Sequence, residues 1–133
     1  MNKFPLMSKS IFWLCFVALN ALALSPAPYI PPLEIFNWWD KAQHAIAFAA
    51  SAVLAILAYP ETSKLRIAFL LIGQGVLIEV LQYFSGYRFG DWQDAVADGV
   101  GVLGGIVGVT WLMRLEWFSQ LMGYKPLRNA DES

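Results

Sequence analysis

Residues 91–113 read DWQDAVADGVGVLGGIVGVTWLM, and that stretch decides the fold. From Ala95 to Met113 it holds a single charge, Asp98, and is long enough to cross a bilayer, which takes roughly 20 mostly apolar residues. Asp91, Asp94, Asp98, Gly101, Gly105 and Gly108 recur every three or four residues, so they lie on one helical face. Gly101/Gly105 and Gly104/Gly108 both have GxxxG spacing, and small residues mark close helix–helix contacts in membranes. The acidic stripe therefore runs into a packing seam and is expected to face the interior of a bundle.

Working outward, three more segments have the same character: Ser10–Ser25, Ala42–Tyr59 and Arg66–Ser85. Each ends at a breaker. Pro26, Pro28, Pro31 and Pro32 follow the first, Pro60 the second and Gly86 the third, while the last runs out into Arg114 and Glu116. The expectation is an all-α polytopic bundle of four transmembrane helices over residues 1–124, with a mobile cytoplasmic tail at 125–133. Composition agrees. Of 133 residues, 58% are hydrophobic and 14% charged, against about a quarter charged in soluble domains. Mean hydropathy is +0.52. A net charge of −1 points to no nucleic-acid partner, and Cys15, the single cysteine, excludes an intramolecular disulfide or a CxxC site.

Orientation follows from the basic residues. With both termini cytoplasmic, Lys3, Lys9, Lys64, Arg66, Arg114, Lys125 and Arg128 lie inside and only Lys41 and Arg88 outside. Trp38, Trp39 and Trp92 then mark the outer interface, and Trp117 and Tyr124 the inner one. The basic start, short apolar run and Ala21-Leu22-Ala23 also fit a signal peptide cut near residue 23. A retained helix is preferred, because prolines follow closely and no soluble domain comes after.

Ionisable groups inside a membrane span are functional candidates by default, since each costs at least about 2.5–3.5 kcal/mol at the centre. Three clusters qualify: Asp40-Lys41-Ala42-Gln43-His44, Glu79 with Gln82, and Asp91, Asp94 and Asp98 just after Arg88. At a rise of 1.5 Å per residue, His44 lies about 6 Å beyond Asp40, Glu79 about 9 Å before Ser85 and Asp98 about 10 Å below Asp91. Asn20 falls about 8 Å from Ser25 by the same rule. Four helices thus place polar side chains in one layer below the outer interface. Asp40 with Gln43, and Asp91 with Asp94, also suit plain helix capping, and Lys41 and Arg88 suit interface anchoring. Glu79 and Asp98 lie beyond the first turn, so capping does not explain them.

Read in order, Asp40-Lys41-x-x-His44, the apolar helix behind it, Glu79-x-x-Gln82, and Arg88 to Asp94 with its glycine-rich helix resemble the VanZ-like family of bacterial membrane proteins. The resemblance covers about residues 36–110. One departure is Asp98-Gly99, where members usually carry Asn followed by a residue other than Gly. The resemblance implies a small multi-helix protein of the bacterial cytoplasmic membrane. It is named for an accessory protein of glycopeptide resistance associated with teicoplanin, and it brings no established reaction.

Three functions compete. The first is a cell-envelope accessory or binding protein, its outward-facing polar pocket taking a lipid head group, a lipid-linked envelope precursor or a glycopeptide-related target. Its binding candidates are Lys41, His44, Glu79, Gln82, Arg88, Asp91, Asp94 and Asp98. The second is a metal-assisted hydrolase or transferase acting on a lipid-linked phosphate. There His44, Glu79, Asp94 and Asp98 are the catalytic and metal candidates, and an oxygen-rich set suits magnesium or manganese more than zinc. The third is a structural network that fixes helix register for a partner protein.

Overall fold

A computed structural model describes residues 4–26, 39–86, 91–115, 117 and 120. Four long helices account for nearly all of them: α1 (Phe4–Leu24), α2 (Trp39–Ala58), α3 (Lys64–Ser85) and α4 (Trp92–Leu112). All four are long and apolar enough to span a bilayer; at 1.5 Å per residue each reaches about 30 Å. The chain is an all-α, multi-pass membrane protein. Arg88, Trp38, Tyr124 and the tail at 125–133 lie outside the described residues.

Every helix starts earlier than its apolar run. The polar first turns of α3 and α4 remain helical because a capping side chain takes up a free N–H group at each. Ser63 caps α3 through the Arg66 amide and Asp91 caps α4 through the Gln93 amide. Asp40 is not a cap. It sits inside the first turn of α2, where a carboxylate still opposes the helix dipole. At the other boundary α3 ends as expected, on Gly86 with φ 69°, a left-handed stop that glycine adopts without strain.

Contacts between named residues fix the topology. Ser8 near the start of α1 donates to the Leu57 carbonyl near the end of α2, so α1 and α2 are antiparallel. Gln82 donates to the Ala23 carbonyl at 2.7 Å, which joins the last turns of α1 and α3. His44 and Lys41 reach Asp98 and Asp94, so α2 and α4 run parallel, with α3 antiparallel beside them. One end of the bundle therefore collects the starts of α2 and α4 and the finishes of α1 and α3.

The α2–α4 seam is the closest in the bundle. A Cβ added at Gly101 would run into the Ala45 carbonyl, and one at Gly105 into that of Ala49. Ala45-x-x-x-Ala49 is the small-residue complement of Gly101-x-x-x-Gly105, and such pairs let backbones approach in a solvent that gives helices no hydrophobic drive to associate. The other GxxxG pair does not take part: Gly104 and Gly108 face open space, so Gly108 falls off the packed stripe. Phe48, Ala52, Ala55, Ile78, Val102 and Val109 fill the core. Leu65, Phe69, Leu77, Val100 and Val107 point outward, as lipid-facing side chains do. At the far end Phe12 meets Tyr59 edge-on at 5.8 Å, and the Trp13 indole donates to the Tyr59 hydroxyl at 2.8 Å.

Candidate functional site

Polar side chains on a membrane helix have a local remedy, a bond to the carbonyl one turn back. Ser10, Asn20, Ser25, Ser51 and Thr110 all take it, donating to Leu6, Phe16, Ala21, Ala47 and Ile106. Asn20, at the cluster end of α1, thus bonds its own helix. Its amide turns back to Phe16 at 2.7 Å, and among the described residues the bonds of the cluster join α2, α3 and α4.

Within the cluster the partners lie on other helices. The Lys41 ammonium donates to Asp91 Oδ2 at 2.9 Å and Asp94 Oδ1 at 3.1 Å. His44 Nδ1 stands 2.9 Å from Asp98 Oδ1. From α3, Glu79 Oε2 accepts the backbone N–H of Asp91 at 2.8 Å, which ties the end of α3 to the start of α4. The small-residue seam explains the register. Ala45 follows His44 directly, and Gly101 lies one turn beyond Asp98, so backbone contact at Ala45–Gly101 brings the imidazole and the carboxylate level.

Exposure is graded along the acidic stripe. Side-chain exposure falls from 38% at Asp91 through 9% at Asp94 to 1% at Asp98, with Lys41 at 32% and His44 at 14%. The cluster thus descends from the bundle end into the interior. The Asp91 carboxyl, above the span, is held below its ordinary value, first by the Lys41 ammonium and then by the Gln93 amide. Below it, Glu79 and Asp98 are buried, and Glu79 Oε1 and Asp98 Oδ2 accept no hydrogen bond among the described residues. One ligand atom each from His44, Glu79 and Asp98 lies within 4.8 Å of the others, and the same holds for Asp40, His44 and Asp94.

Two of the candidate binding residues have partners inside the bundle. Lys41 is no free cation for a phosphate, because two carboxylates already engage it. Gln82 is buried, and its amide nitrogen donates to Ala23, so it clamps α1 to α3. Arg88 lies outside the described residues. Gly75 belongs to the stripe that its spacing to Glu79 and Gln82 gives on α3, whereas Ala45 and Ala49 escaped the sequence reading. Gly75 lets α3 approach the Asp98 carboxylate, where an added Cβ would stand 2.6 Å from Oδ2. Ala45 and Ala49 set the seam, and their four-residue spacing was the available signal. Comparison of the chain with protein-family models, with curated proteins and with solved structures yields no match.

Proposed function

We propose that the protein is a VanZ-like accessory protein of the bacterial cytoplasmic membrane that binds an envelope constituent, a polar lipid head group or lipid-linked precursor, at its outward-facing end. One observation carries the reading. His44, Glu79 and Asp98 come from three helices to one buried point, below a stripe whose exposure rises toward the bundle end. A network needed only for register has no reason to keep two carboxylate oxygens without donors. Support for the family is the ordered set Asp40-Lys41-x-x-His44, Glu79-x-x-Gln82 and Arg88 to Asp94 with its glycine-rich helix, against which Asp98-Gly99 stands as the one departure. Support for the orientation is the excess of Lys and Arg at the opposite end.

The test is binding of the purified chain, in nanodiscs, to a polyprenyl-linked disaccharide precursor against plain anionic lipid. Selective binding that Glu79→Gln and Asp98→Asn abolish, with helicity intact, is the expected result. Equal binding of both lipids, or of the variants and wild type, overturns the reading. A metal-assisted hydrolase or transferase on the same precursor is the second reading, favoured by the two donorless oxygens beside His44. Its mark is release of phosphate or a transferred head group.

A further inference from the structure

Among the described residues, the charges gathered at this end do not balance. Asp40, Glu79, Asp91, Asp94 and Asp98 bring five carboxylates, and the described residues answer them with Lys41 and His44 alone. Lys41 serves the upper part, pairing Asp91 and Asp94. The lower part keeps Glu79, 7% exposed, and Asp98, fully buried, each with one oxygen lacking a donor among the described residues. Buried carboxylates ordinarily pair or coordinate a metal. The two candidate triads share His44 but differ in what their carboxylates already hold. Asp40 is exposed and Asp94 faces the Lys41 ammonium at 3.1 Å, which repels a second cation. Glu79 and Asp98 have oxygens to offer and no ammonium in contact.

We propose that His44, Glu79 and Asp98 form a binding site for one hard divalent cation of the manganese or magnesium class, seated between α2, α3 and α4. The geometry is close to what such an ion needs. Bonds of about 2.1 Å in an octahedron put neighbouring ligands about 3.0 Å apart and opposite ones about 4.2 Å apart. His44 Nδ1 and Asp98 Oδ1, hydrogen-bonded at 2.9 Å, already stand at a neighbouring-ligand distance, so an ion seated there replaces the proton they share. Every separation in the triad is within 4.8 Å, so closure asks for a shift of at most about 0.6 Å against the opposite-ligand limit. Two carboxylates and one imidazole, with water in the remaining positions, suit manganese better than zinc or calcium. Glu79 Oε2 and its bond from the Asp91 amide then orient the ligating carboxylate, the part such outer partners commonly play. The inference rests on reading this end as an envelope-ligand site, and it supplies what that site lacks. A bound cation turns an acidic recess, whose lysine is already engaged, into one that accepts a phosphate or carboxylate.

Manganese titration of the full chain in detergent, read by loss of the free-ion electron paramagnetic resonance signal, tests it. Expected is one saturable ion per chain, weakened at least tenfold in Glu79→Gln and in Asp98→Asn and shifted less than threefold in Asp40→Asn. Magnesium competes for the same site. Absence of saturable binding by wild type up to millimolar manganese overturns the proposal, whatever the variants do. So does a loss confined to Asp40→Asn, which assigns the ion to the upper triad. Manganese binding without selective binding of the precursor keeps the cation site and removes the envelope reading. Precursor binding that persists in EDTA, with no manganese taken up, does the reverse.

Discussion

His44 Nδ1 and Asp98 Oδ1 stand 2.9 Å apart across the α2–α4 seam, with 14% and 1% of their side chains exposed. Removing one member of such a pair leaves a buried group uncompensated, at about 3–5 kcal/mol when that group is charged. His44→Ala is therefore expected to destabilise the detergent-solubilised protein strongly. Adding Asp98→Asn removes the orphaned charge and should recover part of the loss. Unfolding curves of the two single variants and the double variant measure this, and strictly additive losses would show that the pair is not coupled.

The glycines of α4 make a contrast that composition alone does not. Gly101 touches the Ala45 carbonyl, while Gly104 faces open space. Gly101→Ala should cost about 1–3 kcal/mol, as overpacking does. Gly104→Ala should stay within about 0.5 kcal/mol, as surface changes do. Equal effects in thermal unfolding would mean that the seam is wrongly placed.

Gly75 offers a way to disturb the site without altering any charge. Its missing Cβ leaves room for Asp98 Oδ2, which an alanine methyl would approach to 2.6 Å. Gly75→Ala should displace that carboxylate and with it the imidazole. His44 is the chain's single histidine, so its ring resonances report the change in a nuclear magnetic resonance spectrum. Unmoved resonances would count against contact between α3 and Asp98.

Asp91 carries two functions that acidity separates. Its carboxyl caps α4 and pairs Lys41, and the pairing holds it below the ordinary 3.8. A depressed folded-state value contributes stability above the unfolded value, and that stability is lost as pH falls through the folded one. Asparagine caps nearly as well as aspartate, so Asp91→Asn isolates the ion pair. The variant should melt below wild type at pH 7, and the gap should close in acid well below pH 3.8. A gap that persists there would assign the loss to the cap.

How far the fold was legible follows from what each signal reports. Apolar length and breakers located four helices, and Gly86 and Pro60 ended α3 and α2 where expected. The starts were misplaced because an apolar run marks the hydrocarbon layer, whereas Ser63 and Asp91 start helices outside it. Within the site, a three-to-four spacing set Asp94 and Asp98 on one face correctly, since that depends on one helix alone. The partners of Asn20 and Gln82 were not legible, because depth says nothing about direction. Asn20 turned to its own backbone, and Gln82 to α1. Which of two GxxxG pairs would pack depended on Ala45 and Ala49, residues too ordinary to notice without the partner helix.

Orientation is the one property that the helices themselves leave to charge. Lys9 lies 5.3 Å from the centre of the Tyr59 ring, which places it beside the end of α2. Lys64 and Arg66 open α3 and Arg114 follows α4, so these four cations share the end opposite the cluster. Among the described residues only Lys41 lies at the cluster end, and the cation-rich end is expected in the cytoplasm. Cys15 is exposed midway along α1, so Cys15→Ser supplies a cysteine-free background. Gln93→Cys at the exposed start of α4 should then react with a membrane-impermeant maleimide in intact cells. Glu61→Cys, in the turn between α2 and α3, should react only after permeabilisation. The opposite pattern would put the acidic cluster on the cytoplasmic face, and an envelope ligand could no longer reach it.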